Sequence, residues 1–338
     1  MKVLRRTSIA IGVLVASLGL VAIATGARAD AKKAALVTDT AGLNDRSFNH
    51  LANVGRLRAQ ASGIQTRVFI SKTTADYLPN LVAAAQYVGD GGRVQANGFL
   101  LSDAMDTAAT QFPNVHFDIV DFPWVALKDK PANAVGLVFK SQESGYLVGY
   151  LAAEMAKAKG GRQVISAVGG QKIPSVDNWI AGYRAGAQKY NPRIKVLIQY
   201  SNLFPPSAAP KCKEIALNQI AQGSQVVFQV AGGCGLGALD AAKVSKVWGI
   251  GVDADQSYLG PFILTSGVKR VDTATFTAMK LNGAGKLKTG GDVVFDLKNG
   301  GQDVGKISSK VPKKFITAMN KQRRLIISGK ITPPAILK

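Results

Sequence analysis

Histidine and cysteine are scarce, with two of each in 338 residues: His50, His116, Cys212 and Cys234. A structural zinc centre needs about four close nitrogen or sulfur ligands, or three and a water, so this inventory argues against a metal site and no metal ligand is assigned. Acidic residues are also few, 21 Asp and Glu against 42 Lys and Arg, for a formal charge of +21. Nucleic-acid binders concentrate such a surplus on one helix or run. Here the cations are spread along the chain, and the one dense cluster is Lys313, Lys314, Lys321, Arg323, Arg324, Lys330 and Lys338. That cluster reads as an exposed basic helix, with a nucleic-acid arm as the alternative, and no nucleic-acid partner is expected. Enzyme signatures are missing as well: no G-x-S-x-G elbow, no G-x-x-x-x-G-K-[ST] loop and no H-E-x-x-H pair occurs. No catalytic residue and no cofactor are assigned.

What is present describes a globular, exported chain. Hydrophobic residues make up 47%, enough for a sizeable core, and the length suits two domains of about 100–200 residues each. Lys2, Arg5 and Arg6 precede an uncharged run of 16 residues, Ile9 to Ala24, and Ala27-Arg28-Ala29 follows. The run is short of the roughly 20 residues of a membrane span. It reads as a secretory signal, residues 1–29, cleaved after Ala29 to leave Asp30 first. No cysteine stands at the end of the run or at the cleavage site, so the expected product is a soluble periplasmic protein without a lipid anchor. Losing residues 1–29 removes four basic groups and no acidic one, which lowers the charge from +21 to +17. In an oxidising compartment a Cys212–Cys234 disulfide is expected, with two free thiols as the alternative. It requires Cα atoms within about 7 Å.

Short β-rich runs alternate with amphipathic segments. Strands are expected at Ala34–Thr38, Arg67–Ser71, Val94–Leu101, Val115–Val120, Ala134–Phe139, Gln163–Val168, Lys195–Tyr200, Gln225–Val230 and Val247–Val252. Helical stretches between them, such as Asp45–Ala61, Glu143–Lys157 and Val176–Tyr190, imply an α/β fold with parallel sheets covered by helices. Nine strands are too many for one modest sheet. Crossings between two doubly wound lobes are placed after Ala134–Phe139, at Phe262–Thr265 and near Phe295. Lobe 1 then comprises residues 30–138 and about 264–295, and lobe 2 residues 139–263 and about 296–338. A cleft between lobes would be lined by strand C-termini, where open α/β sheets place ligands.

Carboxylates stand at several of those ends. Asp39 follows Ala34–Thr38 before a turn and is free to accept N–H or O–H groups of a polar ligand, whereas Asp45 reads as the N-cap of the next helix. Asp103 follows Val94–Leu101, where capping and ligand binding are equally good readings. Asp253 follows Val247–Val252 and could take two vicinal hydroxyls, as an acidic residue reads a ribose. A rival reading starts from Gly233-Cys234-Gly235-Leu236-Gly237-Ala238, which satisfies G-x-G-x-x-A between a strand and a helix, with Asp253 lying 20 residues beyond Gly233. It would make the chain an exported NAD-dependent oxidoreductase; tight turns account for the same glycines.

At these residues the sequence resembles the basic membrane protein family of ABC-transporter receptors, of the purine nucleoside receptor type. The resemblance runs through ALVTDTAGLNDRSFNHLA, GFLLSDAM, GLVFKSQESGYLVGYLAA, GGQKIPSVDNWIAGYRAGAQKYNP, VVFQVAGGCGLGAL, GIGVDADQ, ILTSGVKRVD and ISGKITPP. It implies a type I periplasmic-binding-protein fold: two Rossmann-like lobes, three crossover strands and a cleft that closes on a ligand. By the same resemblance Asp39 matches the base-contacting aspartate, Phe48 and Phe204 the stacking rings, Asp253 the ribose carboxylate, Lys269 the lysine on the sugar hydroxyls, and Asp103 a further acidic cleft position. Thr40 stands where an Asn can read the base, Asn44 where an acidic residue is common, and the two cysteines where small residues are usual. The implied protein is no enzyme. It is a monomeric receptor that delivers a nucleoside, or a related nucleobase-sugar compound, to an ABC permease in the inner membrane. A same-fold receptor for a free base or a sugar is the alternative.

The mass of the exported protein is expected to match a chain that begins at Asp30; a mass that includes residues 1–29 would overturn the cleavage assignment.

Overall fold

A computed structural model describes residues 33–338 except 285 and 287; the leader assigned to residues 1–29 lies outside them. The chain runs β1 Ala34–Thr38, α1 Phe48–Ala61, β2 Thr66–Phe69, α2 Tyr77–Val88, β3 Arg93–Asn97, α3 Ser102–Gln111, β4 His116–Val120, β5 Ala134–Phe139 and α4 Ser141–Lys159. It continues β6 Val164–Gly169, α5 Pro174–Tyr190, β7 Lys195–Tyr200, α6 Ala209–Ala221, β8 Ser224–Val230, α7 Gly235–Val244, β9 Trp248–Asp253 and β10 Ile263–Lys269. Helix α8 Val271–Gly283, β11 Gly291–Phe295, β12 Gln302–Val304 and α9 Lys313–Ile327 complete it.

The strands form two sheets, β11-β5-β4-β3-β1-β2 and β12-β10-β9-β8-β6-β7. Every pairing is parallel except β12 on β10. Central strands are buried from end to end, as in AALVT of β1 and VISAVG of β6, because helices cover both faces and leave no solvent side on which to alternate. Each sheet winds outward from one interior strand in both directions, β1 in the first and β6 in the second. This places the reversals of strand order at β1/β3 and β6/β8, the points where such sheets open a crevice at their carboxyl ends.

Three crossings join the lobes. The first separates β5 from α4, whose Leu147, Leu151 and Ala152 join the core around Ile165 and Phe228. The second lies after Lys269, not at Phe262–Thr265 as expected. Ile263 to Val268 pairs with β9 from Gly249 to Asp253, so residues 264–269 belong to the second sheet, and only with α8 does the chain return to the first core, beside Leu36 and Leu137. Ser266 and Gly267 interrupt the apolar run of β10, which hides its continuity in the sequence. The third follows Phe295, since β11 pairs with β5 and β12 with β10. A further correction concerns β3, which ends at Asn97 and not at Leu101. Gly98 adopts φ +129 and Phe99–Leu101 form a 3-10 turn, so the chain leaves the sheet four residues early.

The second lobe is built on an unusually close helix pair. A Cβ at Gly149 of α4 would lie 2.0 Å from the Tyr183 carbonyl oxygen, and one at Gly186 of α5 would lie 2.0 Å from that of Tyr146. The two backbones therefore touch, and α5 is held where Trp179, 1% exposed, faces the cleft. On the opposite face of the sheet Cys212 and Cys234 form a disulfide with Cα atoms 5.7 Å apart. Among the described residues no helix is long and apolar enough to cross a membrane.

Gly149→Val puts a branched side chain where two backbones meet, and is expected to lower the stability of the folded chain by about 3 kcal/mol; an unchanged denaturation midpoint would refute the close-packing argument.

Candidate functional site

The cleft is assembled from strand ends of both sheets. Asp39 follows β1, and its Oδ1 accepts the Ala41 N–H at 2.9 Å and the Asn49 Nδ2 at 2.6 Å. Asn49 Oδ1 in turn accepts from Asn97 Nδ2 at 2.8 Å, so two strand ends and α1 share one buried amide relay that fixes the carboxylate. Its other oxygen, Oδ2, lies beside Gly98, where a Cβ would sit 3.3 Å from it. Burial pushes the Asp39 pKa up, against the opposing hydrogen bonds from Asn49 and Ala41.

Asp45 caps α1, though not as the N-cap residue. That position is Ser47, while the Asp45 carboxylate accepts the backbone N–H groups of Ser47, Asn49 and His50 at 3.0, 2.7 and 3.0 Å. Burial raises its pKa to about 7 despite those three donors. With the helix end satisfied by Asp45, the Ser47 hydroxyl is available to the other lobe. It lies 3.0 Å from the Val252 carbonyl oxygen and 2.9 Å from Asp253 Oδ2.

The opposite wall centres on Lys269, at the end of β10 and 2% exposed. Its ammonium donates to Asp121 Oδ2 at 2.7 Å and lies 3.8 Å from Asp253 Oδ1. It also lies 5.0 Å from the Phe48 ring centroid, 5.4 Å from Phe139 and 6.0 Å from Trp179, within the range of attraction between a cation and a ring face. Asp253 closes β9 with φ +61 and Asp121 follows β4 with φ +69. Aspartate is among the few side chains that tolerate this left-handed region, and at both positions it ends the extended path of the strand. Burial raises the Asp253 pKa, with Lys269 and Ser47 pulling it down and Asp121 pushing it further up.

Between these walls lies a cavity of about 560 Å³, part of it open to solvent. Asp39, Phe48, Phe99 and Asp121 line it from the first lobe, and Trp179, Phe204, Asp253 and Lys269 from the second. Five of the expected residues, Asp39, Phe48, Phe204, Asp253 and Lys269, thus meet in one space. Thr40 does not line it and stays half-buried in the turn after Asp39. Asp103 is also outside: because β3 ends at Asn97, it sits exposed on the first turn of α3. Asp121, Trp179 and the Asn49–Asn97 relay were not anticipated. For Asp121 the signal was available, since it directly follows a strand just as Asp39 does.

The glycine turn before α7 is filled by the protein itself. A Cβ at Gly233 would meet Pro206 Cγ at 2.5 Å, one at Gly235 the Gln229 Oε1 at 1.8 Å, and one at Gly237 the Ala209 carbonyl oxygen at 1.8 Å. In a dinucleotide site such glycines admit a pyrophosphate; here they admit the segment 206–209 and a buried glutamine, which removes the basis of the oxidoreductase reading. Among the described residues no group of three or more His, Cys, Asp or Glu is arranged to hold a metal ion.

Comparison with known proteins agrees with this architecture. The model of the Bmp family, ABC transporter substrate-binding protein PnrA-like, matches residues 32–336. The chain is 36% identical over 327 residues to the ABC transporter nucleoside-binding protein BmpA of Lactococcus lactis subsp. cremoris, covering 90% of this chain and 89% of that protein. It is 29% identical to an uncharacterized lipoprotein of Pyrococcus furiosus, over 88% of this chain and 80% of the relative; the word lipoprotein runs against the lipid-free form expected above. A solved solute-binding protein of an ABC transporter system from Aeropyrum pernix K1 superposes with a TM-score of 0.80 at 25% identity, over 89% of this chain and 93% of that one. With two parallel-sheet lobes, three crossings and a family model spanning nearly all of the described residues, the chain belongs to the Bmp family of PnrA-like ABC-transporter substrate-binding proteins.

Proposed function

We propose that this receptor captures a nucleoside, with a purine base favoured, and delivers it outside the cytoplasm to an ABC permease. The observation that carries the reading is the composition of one cavity: ring faces and an acceptor carboxylate beside a carboxylate–ammonium pair, contributed by both lobes. A nucleobase offers two flat faces and an N–H edge, and a ribose offers a vicinal diol. Phe48 and Phe204 supply apolar ring faces. Asp39 Oδ2, directed toward Gly98, accepts an N–H of the base, while Asp253 accepts and Lys269 donates at the sugar hydroxyls. The name of the Lactococcus lactis relative is consistent with this assignment.

Binding is a hinge motion in this reading, with the three crossings bending as the lobes close. The contacts of Ser47 with Asp253 and of Lys269 with Asp121 span the lobes and favour closure whether or not a ligand is present. A ligand adds to them only if it touches both sides, which is how affinity is coupled to shape. Charge sets the selectivity. Four carboxylates, Asp39, Asp45, Asp121 and Asp253, line the cavity with one ammonium, Lys269, so a phosphate monoester would add two negative charges beside carboxylates that already outnumber their counter-charge.

A thermal-shift panel tests the reading, since a ligand that binds only the folded state at about 100 times its dissociation constant adds about 2.7 kcal/mol of stability. Adenosine, guanosine and inosine are expected to raise the melting temperature while adenosine monophosphate, ribose and NAD leave it unchanged; a shift with ribose or NAD alone would overturn the assignment. Asp253→Ala is expected to weaken nucleoside binding about 10- to 100-fold, as for a lost hydrogen bond to a charged group, with the fold retained. Asp39 must be ionised to accept the base edge, and its raised pKa means that affinity falls as the pH drops through a range above that of ordinary carboxylates. Asp39→Asn should flatten this dependence, as titration calorimetry across pH would show.

A further inference from the structure

Phe204 differs from the other aromatic residues of the cleft in its support. Phe48 begins α1, Trp179 lies within α5 and Phe99 opens the 3-10 turn Phe99–Leu101, but Phe204 sits on the irregular loop between β7 and α6. Within the loop the Ser201 hydroxyl bridges the carbonyl and N–H of Leu203 at 3.0 and 3.2 Å, just ahead of the ring. The rest of its support comes from the segments around the loop. Ser201 and Asn202 donate their N–H groups to the carbonyls of Gly169 and Gly170 at 2.9 and 2.8 Å, and Cys234 donates its N–H to the Phe204 carbonyl at 3.0 Å. The ring lies on Gly170 so closely that a Cβ there would be 2.2 Å from Phe204 Cε1.

The disulfide closes this arrangement into a loop of bonds. From Phe204 the chain leads through the 3-10 turn Pro206–Ala208 into α6, where Cys212 is fully buried. The Cys212–Cys234 bond joins that helix start to the residue just before α7, and the Cys234 N–H returns to Phe204. Cys234 Sγ also lies 3.2 Å from the Ala208 carbonyl oxygen, so the sulfur packs directly against the turn that follows the aromatic residue. The bond therefore bears on a cleft aromatic that lies outside every helix, strand and 3-10 turn.

We propose that the Cys212–Cys234 disulfide is a positioning element of the binding site, which holds Phe204 at the cavity before the ligand arrives. Ordering a mobile ring on binding costs affinity, and holding it in place beforehand avoids that cost. The inference rests on the nucleoside reading above and assigns the bond a role in affinity in addition to its role in stability. The cysteines act through Phe204 and do not touch the ligand.

The test is a mutant cycle read by titration calorimetry with inosine at 25 °C, each variant being confirmed as folded by circular dichroism. Replacing both cysteines, Cys212→Ser with Cys234→Ser, is expected to weaken binding about tenfold. Phe204→Ala should weaken it by at least as much. In the Phe204→Ala background, removing the cysteines should cause no further loss, because residues acting through one group are non-additive. If the serine pair does not fold, Cys212→Ala with Cys234→Val fills the buried site with apolar atoms and carries the same comparison. Unchanged affinity without the disulfide, or an equal loss in the presence and absence of the Phe204 ring, overturns the proposal while leaving the nucleoside reading intact. Failure of the unmutated protein to bind any nucleoside overturns the reading itself.

Discussion

Lys269 carries an ammonium into the space between two sheets, and its need for counter-charge organises much of what surrounds it. A buried cation is costly unless it is paired and hydrogen-bonded. The pairing here spans the lobes: Asp121 comes from the first sheet at 2.7 Å, and Asp253 from the second at 3.8 Å. Three ring faces complete the enclosure. Removing one partner of such a pair typically costs about 3–5 kcal/mol, because the other is left buried and unpaired. This sign of charge is also the minority sign of the cleft wall. Lys269 thus balances carboxylates that would otherwise repel one another, and it stands immediately before the second crossing between the lobes.

The start of α1 shows how a local helix rule becomes a contact between lobes. An aspartate three residues ahead of the helix takes over the free N–H groups, which leaves the serine at the N-cap position without a capping bond and lets it reach Val252 and Asp253. Asp45 is buried and its pKa lies near 7, well above the value for an unfolded carboxylate. Its protonated form is therefore favoured by folding, and its contribution to stability declines as pH rises from the ordinary carboxylate range toward neutrality. The same residues place Phe48 at the first helical position, so capping, lobe contact and cavity wall depend on one six-residue segment, 45–50.

The basic composition and the acidic cleft belong to different parts of the molecule. Five of the seven C-terminal cations lie on α9, whose Lys313, Lys314, Lys321 and Arg324 are exposed while Met319, Gln322 and Ile326 are buried. The helix is amphipathic in the ordinary sense, and its positive face is a surface property. The cavity between the lobes instead draws on the few aspartates of the chain, most of them at positions where a parallel strand ends.

Local patterning determined a good deal by itself. The alternation of buried apolar runs with amphipathic segments defines parallel sheets under helices, the spacing of Cys212 and Cys234 around one helix and one strand permits their bond, and carboxylates after strands mark the rim of a cleft. These are legible because each depends on periodicity or on near neighbours. What the sequence left open was decided by long-range geometry. Asp103 and Asp121 both stand beyond an apolar β-rich run, yet Gly98 takes the chain out of the sheet early and leaves Asp103 exposed on a helix, whereas Asp121 follows its strand directly and meets a lysine 148 residues away. Likewise G-C-G-L-G-A satisfies a cofactor fingerprint until the segment 206–209 is seen to occupy its space. In both cases the local pattern allows more than one partner, and only the packing of distant parts of the chain determines which partner is there.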